Sequence, residues 1–175
     1  QDSKPRMLIV EARFYDHIAD ALLSGATRVL DEAGAHYDKL TVPGALEVPA
    51  AIAMALEAAI AKRAPYDGVV ALGCVIRGET SHFEFIAGEA ASGLQLAALE
   101  TGVPVAFGVL TCENVEQAEA RIERGAEVAR GFLEKVGARA EARALLDAPE
   151  EGLPAFWDDL VGLGWLGLHL PEAVG

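Results

Sequence analysis

Between Gly73 and Ile86 the chain reads GCVIRGETSHFEFI, an apolar run that ends in arginine, glutamate, two hydroxyls and histidine before a helix-like pattern begins. Gly78 permits a tight turn there, and Glu79, Thr80 and Ser81 can present backbone N–H groups and cap the following helix, whose dipole adds partial positive charge. Such a turn suits an anion. It equally suits a helix that needs only a cap, and it is not a Walker loop. His82, in the first helical turn, carries a side chain able to exchange protons near neutral pH with a substrate held above it; a cap or surface histidine is the structural alternative.

Three further positions have types that could serve such a site. Glu47, after PGAL and before Val48-Pro49, could accept hydrogen bonds from a polyhydroxyl group at a sheet rim, or be a first-turn glutamate favoured by the helix dipole. Phe14 could stack on a flat heterocycle or belong to the core. Arg121, flanked by acidic residues, reads locally as a solvated helix-face charge.

The elements that must position these residues follow from hydrophobic patterning. MLIVEAR (7–13) reads as a buried strand, and HIADALLSGATRVLDEAG places Ile18, Ala21, Leu22, Ala26, Val29 and Leu30 on one helical stripe that Gly34 ends. AHYDKLTVPG reads as a second strand and turn, ALEVPAAIAMALEAAIAKRA as a second helix, and YDGVVALGCVI as a third strand. HFEFIAGEAASGLQLAALETG, VPVAFGVLT and NVEQAEARIERGAEVARGFLEKVG read as the third helix, fourth strand and fourth helix. Apolar strands, each followed by a helix, predict an α/β fold with a parallel sheet covered on both faces and right-handed crossovers. Ligands in such sheets bind beyond the carboxyl ends of the strands, which is where Phe14 and Tyr15, PGALE with its Glu47, the RGETSH turn and TCEN fall.

The chain has 175 residues, 52% of them hydrophobic, enough for one sizeable core and a small appendage. Its formal net charge of −13 repels a phosphate backbone, so nucleic acid is not an expected partner. The sequence shows no apolar run of the roughly 20 residues a spanning helix needs, and QDSKPRM lacks a signal peptide's apolar stretch, so a soluble, cytoplasmic protein without membrane contact is expected. Cys74 and Cys112 are the only cysteines and form no CxxC pair, in keeping with a reducing compartment. After DAPEEGLP, the segment AFWDDLVGLGWLGLHLP could present Phe156, Leu160, Leu163 and Leu168 as a short apolar face.

VPGALEVP, YDGVVALGCVIRGETSHFEFI, GVPVAFGVLT and ENVEQAEAR, in this order, closely resemble lumazine synthase, from about Arg6 to Arg121. The resemblance implies a flavodoxin-like three-layer α/β/α sandwich with a four-stranded parallel sheet. It also implies assembly as pentamers, in some members as larger shells, with each active site between neighbouring subunits. There a ribitylamino-pyrimidine dione would meet a four-carbon keto phosphate. Glu79 and Thr80 would supply the phosphate turn and His82 the proton transfers. Cys74, Val75 and Ile76 would line the pyrimidine pocket, Phe14 would stack on the ring, and Ala45, Leu46 and Glu47 would hold the ring and ribityl chain. Phe107 would close the pocket from an adjacent subunit, and Arg121 would pair with the phosphate. The resemblance calls for no metal and no cofactor; its reaction is imine formation, phosphate elimination and ring closure.

After Arg121 the pattern departs. The family usually continues with a glycine-rich, lysine-containing segment, whereas this chain reads IERGAEVARGFLEKVG and has no lysine before Lys135. From about Ala126 onward, ARALLDAPEEGLPAFWDDLVGLGWLGLHLPEAVG most of all, the chain resembles the helical amino-terminal edge of an acyl-CoA dehydrogenase, without that family's flavin-binding core or catalytic carboxylate. The expected organisation is an α/β domain over residues 1–135 and a helical C-terminal extension over 136–175. Two functions follow from the resemblance: a lumazine synthase, or a catalytically impaired or inactive oligomeric scaffold or shell carrying a fused or partner-binding tail. A flavodoxin-type flavin binder fits the fold but not EARFYDH, which lacks a small-residue phosphate loop.

Overall fold

A computed structural model describes the backbone of residues 4–146 and side chains as far as Gly137. Four strands, β1 (Arg6–Ala12), β2 (His36–Val42), β3 (Gly68–Ile76) and β4 (Val105–Cys112), alternate with helices α1 (Asp16–Glu32), α2 (Val48–Ala61) and α3 (His82–Thr101). Helices α4 (Val115–Glu119) and α5 (Arg124–Leu146) follow. The sheet is wholly parallel, in the order β2-β1-β3-β4, with Leu8 opposite Val69 and Ile76 opposite Cys112. This is the expected α/β fold. The order reverses between β1 and β3, so the chain crosses to opposite sides of the sheet there and leaves a crevice above their carboxyl ends.

Alternation along the strands builds two cores. Met7 and Ile9 of β1 and Leu72 of β3 pack with Ile18, Leu22 and Leu30 of α1 and with Ala129 and Phe132 of α5. Leu8 and Val10 pack with Ile52 and Leu56 of α2 and Leu94 of α3 on the opposite face. Removing the large side chains among these from water contributes about 1.5–3 kcal/mol each, which makes the two layers the main source of order in the sandwich. Glu11 points into the first layer and is buried, held by Lys39 Nζ at 3.1 Å, Thr41 Oγ1 at 2.9 Å and Arg13 Nη1 at 3.3 Å.

Two expectations change. β2 is not buried on both faces: His36, Asp38, Lys39, Leu40 and Thr41 are exposed, because HYDKLTV is polar and forms a sheet edge. The fourth helix is not continuous either. It breaks between Glu119 and Arg124, where Arg121 N–H donates to Ala118 O and Arg124 N–H to Arg121 O, bonds that tighten the chain into a turn. The break lets α5 lie against α1, since a Cβ on Gly125 would overlap the Leu22 carbonyl. Gly34 does end α1, at φ +66°.

The chain divides by its contacts into a compact unit through Val136 and a second unit from Gly137, of which the α5 backbone to Leu146 is described. The apolar face expected at Phe156, Leu160, Leu163 and Leu168 lies outside the described residues. Among the described residues no helix is long and apolar enough to cross a membrane.

Candidate functional site

The crevice above β1 and β3 is a cavity of about 420 Å³. Strand ends and the turns after them deliver its walls: Phe14 and Tyr15 after β1, Pro43 to Glu47 after β2, Cys74 to Ile76 from β3, and Gly78, Thr80 and His82 at the entry to α3. Phe83 and Ile86 of α3 complete it. Of the residues singled out in the sequence, Phe14, Ala45, Leu46, Glu47, Cys74, Val75, Ile76, Thr80 and His82 therefore meet in one place. Glu79 lies on the same turn, exposed, and does not line the cavity.

Phe14 is 72% exposed, so it is not a core residue; its ring stands free at the rim, edge-on to Tyr15 with centroids 5.0 Å apart at 70°. Burial, with the neighbouring Cys74, pushes the Tyr15 phenol above its ordinary pKa. Ala45–Glu47 form a single 3-10 turn leading into α2, with Pro49 in that helix's first turn, which closes the strand-to-helix passage tightly and aims Glu47 back over Gly44. The Glu47 carboxylate thus stands at the rim as well as at the helix entry.

Cys74 and Cys112 are both buried free thiols. Burial, reinforced by Cys112, pushes the Cys74 thiol up to about 12, so it meets a ligand as a neutral wall rather than as a thiolate. Ser81 occupies the α3 N-cap position without a side-chain capping bond; Thr80 Oγ1 accepts from His82 N–H at 3.3 Å instead. Arg77, at the foot of this turn, is engaged by Glu84 and by Glu113, Nε to Oε2 2.7 Å, and lies over the Phe83 ring at 4.3 Å. That leaves the cavity without a lysine or arginine in its lining.

Phe107 and Arg121 stand elsewhere. They share a concavity of about 430 Å³ along the free edge of β4, with Leu110, Thr111, Glu123 and Arg124, and it has no lining residue in common with the first. Phe107 is exposed, and Arg121 Nη1 donates to the Gln117 carbonyl at 2.8 Å and enters no ion pair among the described residues. Asn114, which caps α4 by accepting from Gln117 N–H at 2.9 Å, fixes the start of the turn that carries it. One concavity therefore holds Phe14, Glu47 and His82, the other Phe107, Arg121 and Arg124. Among the described residues no group of three or more metal-ligating side chains converges.

The 6,7-dimethyl-8-ribityllumazine synthase family profile matches residues 4–140. The chain belongs to that family. A relative from Agrobacterium fabrum, named 6,7-dimethyl-8-ribityllumazine synthase, is 57% identical over 130 residues, covering 74% of this chain and 88% of its own. One from Rhizobium meliloti, named 6,7-dimethyl-8-ribityllumazine synthase 1, is 59% identical over 118 residues, covering 67% and 77%. Another from Afipia carboxidovorans is 50% identical over 136 residues, covering 75% and 83%. Membership places the chain among the transferases of riboflavin biosynthesis. The match runs past Arg121 to residue 140, so the first part of the segment read as dehydrogenase-like falls within the lumazine synthase family.

Tyr15 and Gly44 line the cavity as their strand-end positions suggested, whereas Phe83 and Ile86 were not singled out as site residues by their sequence, yet both line it. Ile86 carried a signal: it follows His82 by four positions on one helix and so shares its face.

Proposed function

We propose that this chain condenses 5-amino-6-(D-ribitylamino)uracil with 3,4-dihydroxy-2-butanone 4-phosphate to give 6,7-dimethyl-8-ribityllumazine, at a site assembled from two copies of the chain. The observation that carries this is the separation of Phe14, Glu47 and His82 from Phe107 and Arg121 into two solvent-open concavities. Neither is sufficient alone: the first lacks a lysine or arginine for a phosphate, the second a histidine. Apposition of one copy's β4 edge to another's crevice would complete both.

In this arrangement the dione lies against Cys74, Val75 and Ile76 with Phe14 on its face, and Ala45, Leu46 and Glu47 hold the ring and the ribityl hydroxyls. The substrate's free amine attacks the ketone carbonyl and water leaves as the imine forms. Phosphate then departs as its C–O bond breaks, its charge met by the Glu79–Thr80 turn and Arg121. The hydroxyl-bearing carbon loses its proton as phosphate leaves, the enol so formed tautomerises to a new ketone, and the ribitylamino nitrogen closes the ring on that carbonyl with loss of a second water. His82 moves the protons, and holding the two partners together supplies much of the acceleration. The steps call for no metal or cofactor.

The assembly is read as a homopentamer from the family; exposed apolar side chains on α2 and α3, Met54, Ile60, Phe85, Leu96 and Leu99, support subunit contact, since they are the kind of surface it covers. Two unpaired thiols fit a cytoplasmic location. On this proposal residues 1–135 are the catalytic domain and 136–175 a helical extension, whose likeness to an acyl-CoA dehydrogenase edge brings no dehydrogenase chemistry with it.

Purified protein mixed with the two substrates, without added metal, should form the lumazine and release one phosphate per product. An assembled oligomer that forms none would overturn the enzyme and leave the departure after Arg121 as the mark of an inactive scaffold or shell.

A further inference from the structure

The concavity along β4 holds a second guanidinium beside that of Arg121. Arg124 follows it across one tight turn, closed by the Arg124 N–H donating to the Arg121 carbonyl at 2.9 Å, and both side chains line the same space. Arg124 pairs with Glu127 at 3.2 Å, but both side chains are more than half exposed, and an ion pair so open to solvent holds its partners weakly. The other carboxylate of the concavity, Glu123, lies 3.8 Å from Arg28 in a pair just as open to solvent.

A phosphate monoester carries about −1.5 to −2 charges near neutral pH, more than one guanidinium balances, and its oxygens suit the planar fork of arginine. We propose that Arg124 is a second phosphate-binding residue, which exchanges Glu127 for the oxygens of the keto phosphate and makes the site selective for the phosphate ester over the free ketone. This rests on the reading of Arg121 given above and adds to it a cation that the family resemblance did not supply. Glu127 is then an internal competitor for the same guanidinium.

Steady-state kinetics of the assembled full-length protein, with each substrate varied in turn, test this. Arg124→Gln should raise KM for the keto phosphate about tenfold, the loss expected of one charge-assisted contact, with KM for the pyrimidine and kcat nearly unchanged. Arg124→Lys should recover part of the loss, and Glu127→Gln should lower the same KM severalfold. Inorganic phosphate, titrated calorimetrically into the same oligomers, should bind more weakly to Arg124→Gln by a similar factor, a readout that does not require turnover. Unchanged KM together with unchanged phosphate binding in Arg124→Gln would overturn the proposal, even with the wild type fully active. Absence of turnover in the wild type would fail the reaction assignment alone.

Discussion

The Glu47 carboxylate fills the space beside Gly44: a methyl group on that glycine would stand 2.9 Å from Oε2. Gly44 itself is extended, at φ −145° and ψ 172°, so its backbone would accept any residue, and what keeps the position small is the neighbouring carboxylate. Gly44→Ala should therefore leave the melting temperature nearly unchanged, because only the end of a flexible side chain must move. It should displace Glu47 and raise KM for the pyrimidine several-fold, with KM for the keto phosphate unaffected. Steady-state kinetics beside a thermal melt check both halves.

Much of this site is legible in the sequence. Apolar runs fixed the strands, the strand ends named the walls, and the block from Gly73 to Ile86 supplied the turn and the histidine. What stayed hidden depends on contacts distant in sequence. Nothing in ARIERG discourages a continuous helix strongly; the break there answers to Gly125 meeting the Leu22 carbonyl, a residue about a hundred positions away. For the same reason Arg121 looked like an ordinary helix-face charge, and its grouping with Phe107 and Arg124 came only from the turn. The exposure of β2 was partly visible in its polar residues, but its place at the edge follows from strand order, which local pattern does not encode.

Cys74 gives the protein an alkaline weakness. Its thiol is held up at about 12 in the fold, while an unfolded chain ionises it near the ordinary value of about 8.5. The raised value means that its contribution is intact below the unfolded pKa and is lost as pH rises from there towards the folded one. Stability should fall between roughly pH 9 and 12, and Cys74→Ala should flatten that decline. Alkylation at pH 8 should also label the native Cys74 far more slowly than the unfolded one; equal rates would place the thiolate in the fold and contradict the assignment.

Two glycines near the start of α5 should respond oppositely to the same change. Gly125→Ala puts a methyl group into the Leu22 backbone of α1, which cannot swing aside as a side chain could. Overpacking of this kind costs about 1–3 kcal/mol or more. At Gly131 the added methyl meets nothing within 4 Å beyond its own stretch of helix, and alanine in a helix interior should stabilise by about 0.5–1 kcal/mol. Denaturant midpoints of the two variants separate close helix contact from general helix propensity.

The central claim is that each site takes His82 from one copy and Arg121 from another, and subunit mixing tests it most directly. His82→Ala should lower kcat by about a hundredfold or more, as loss of a positioned acid–base group does. Arg121→Ala should instead raise KM for the keto phosphate about tenfold or more. When the two variants are unfolded together and reassembled in equal amounts, about a quarter of the interfaces in a closed ring join an intact His82 to an intact Arg121. At a keto phosphate concentration too low for the Arg121 variant, the mixture should recover roughly that fraction of wild-type lumazine formation. A mixture no more active than the average of its parents would contradict a site shared between subunits.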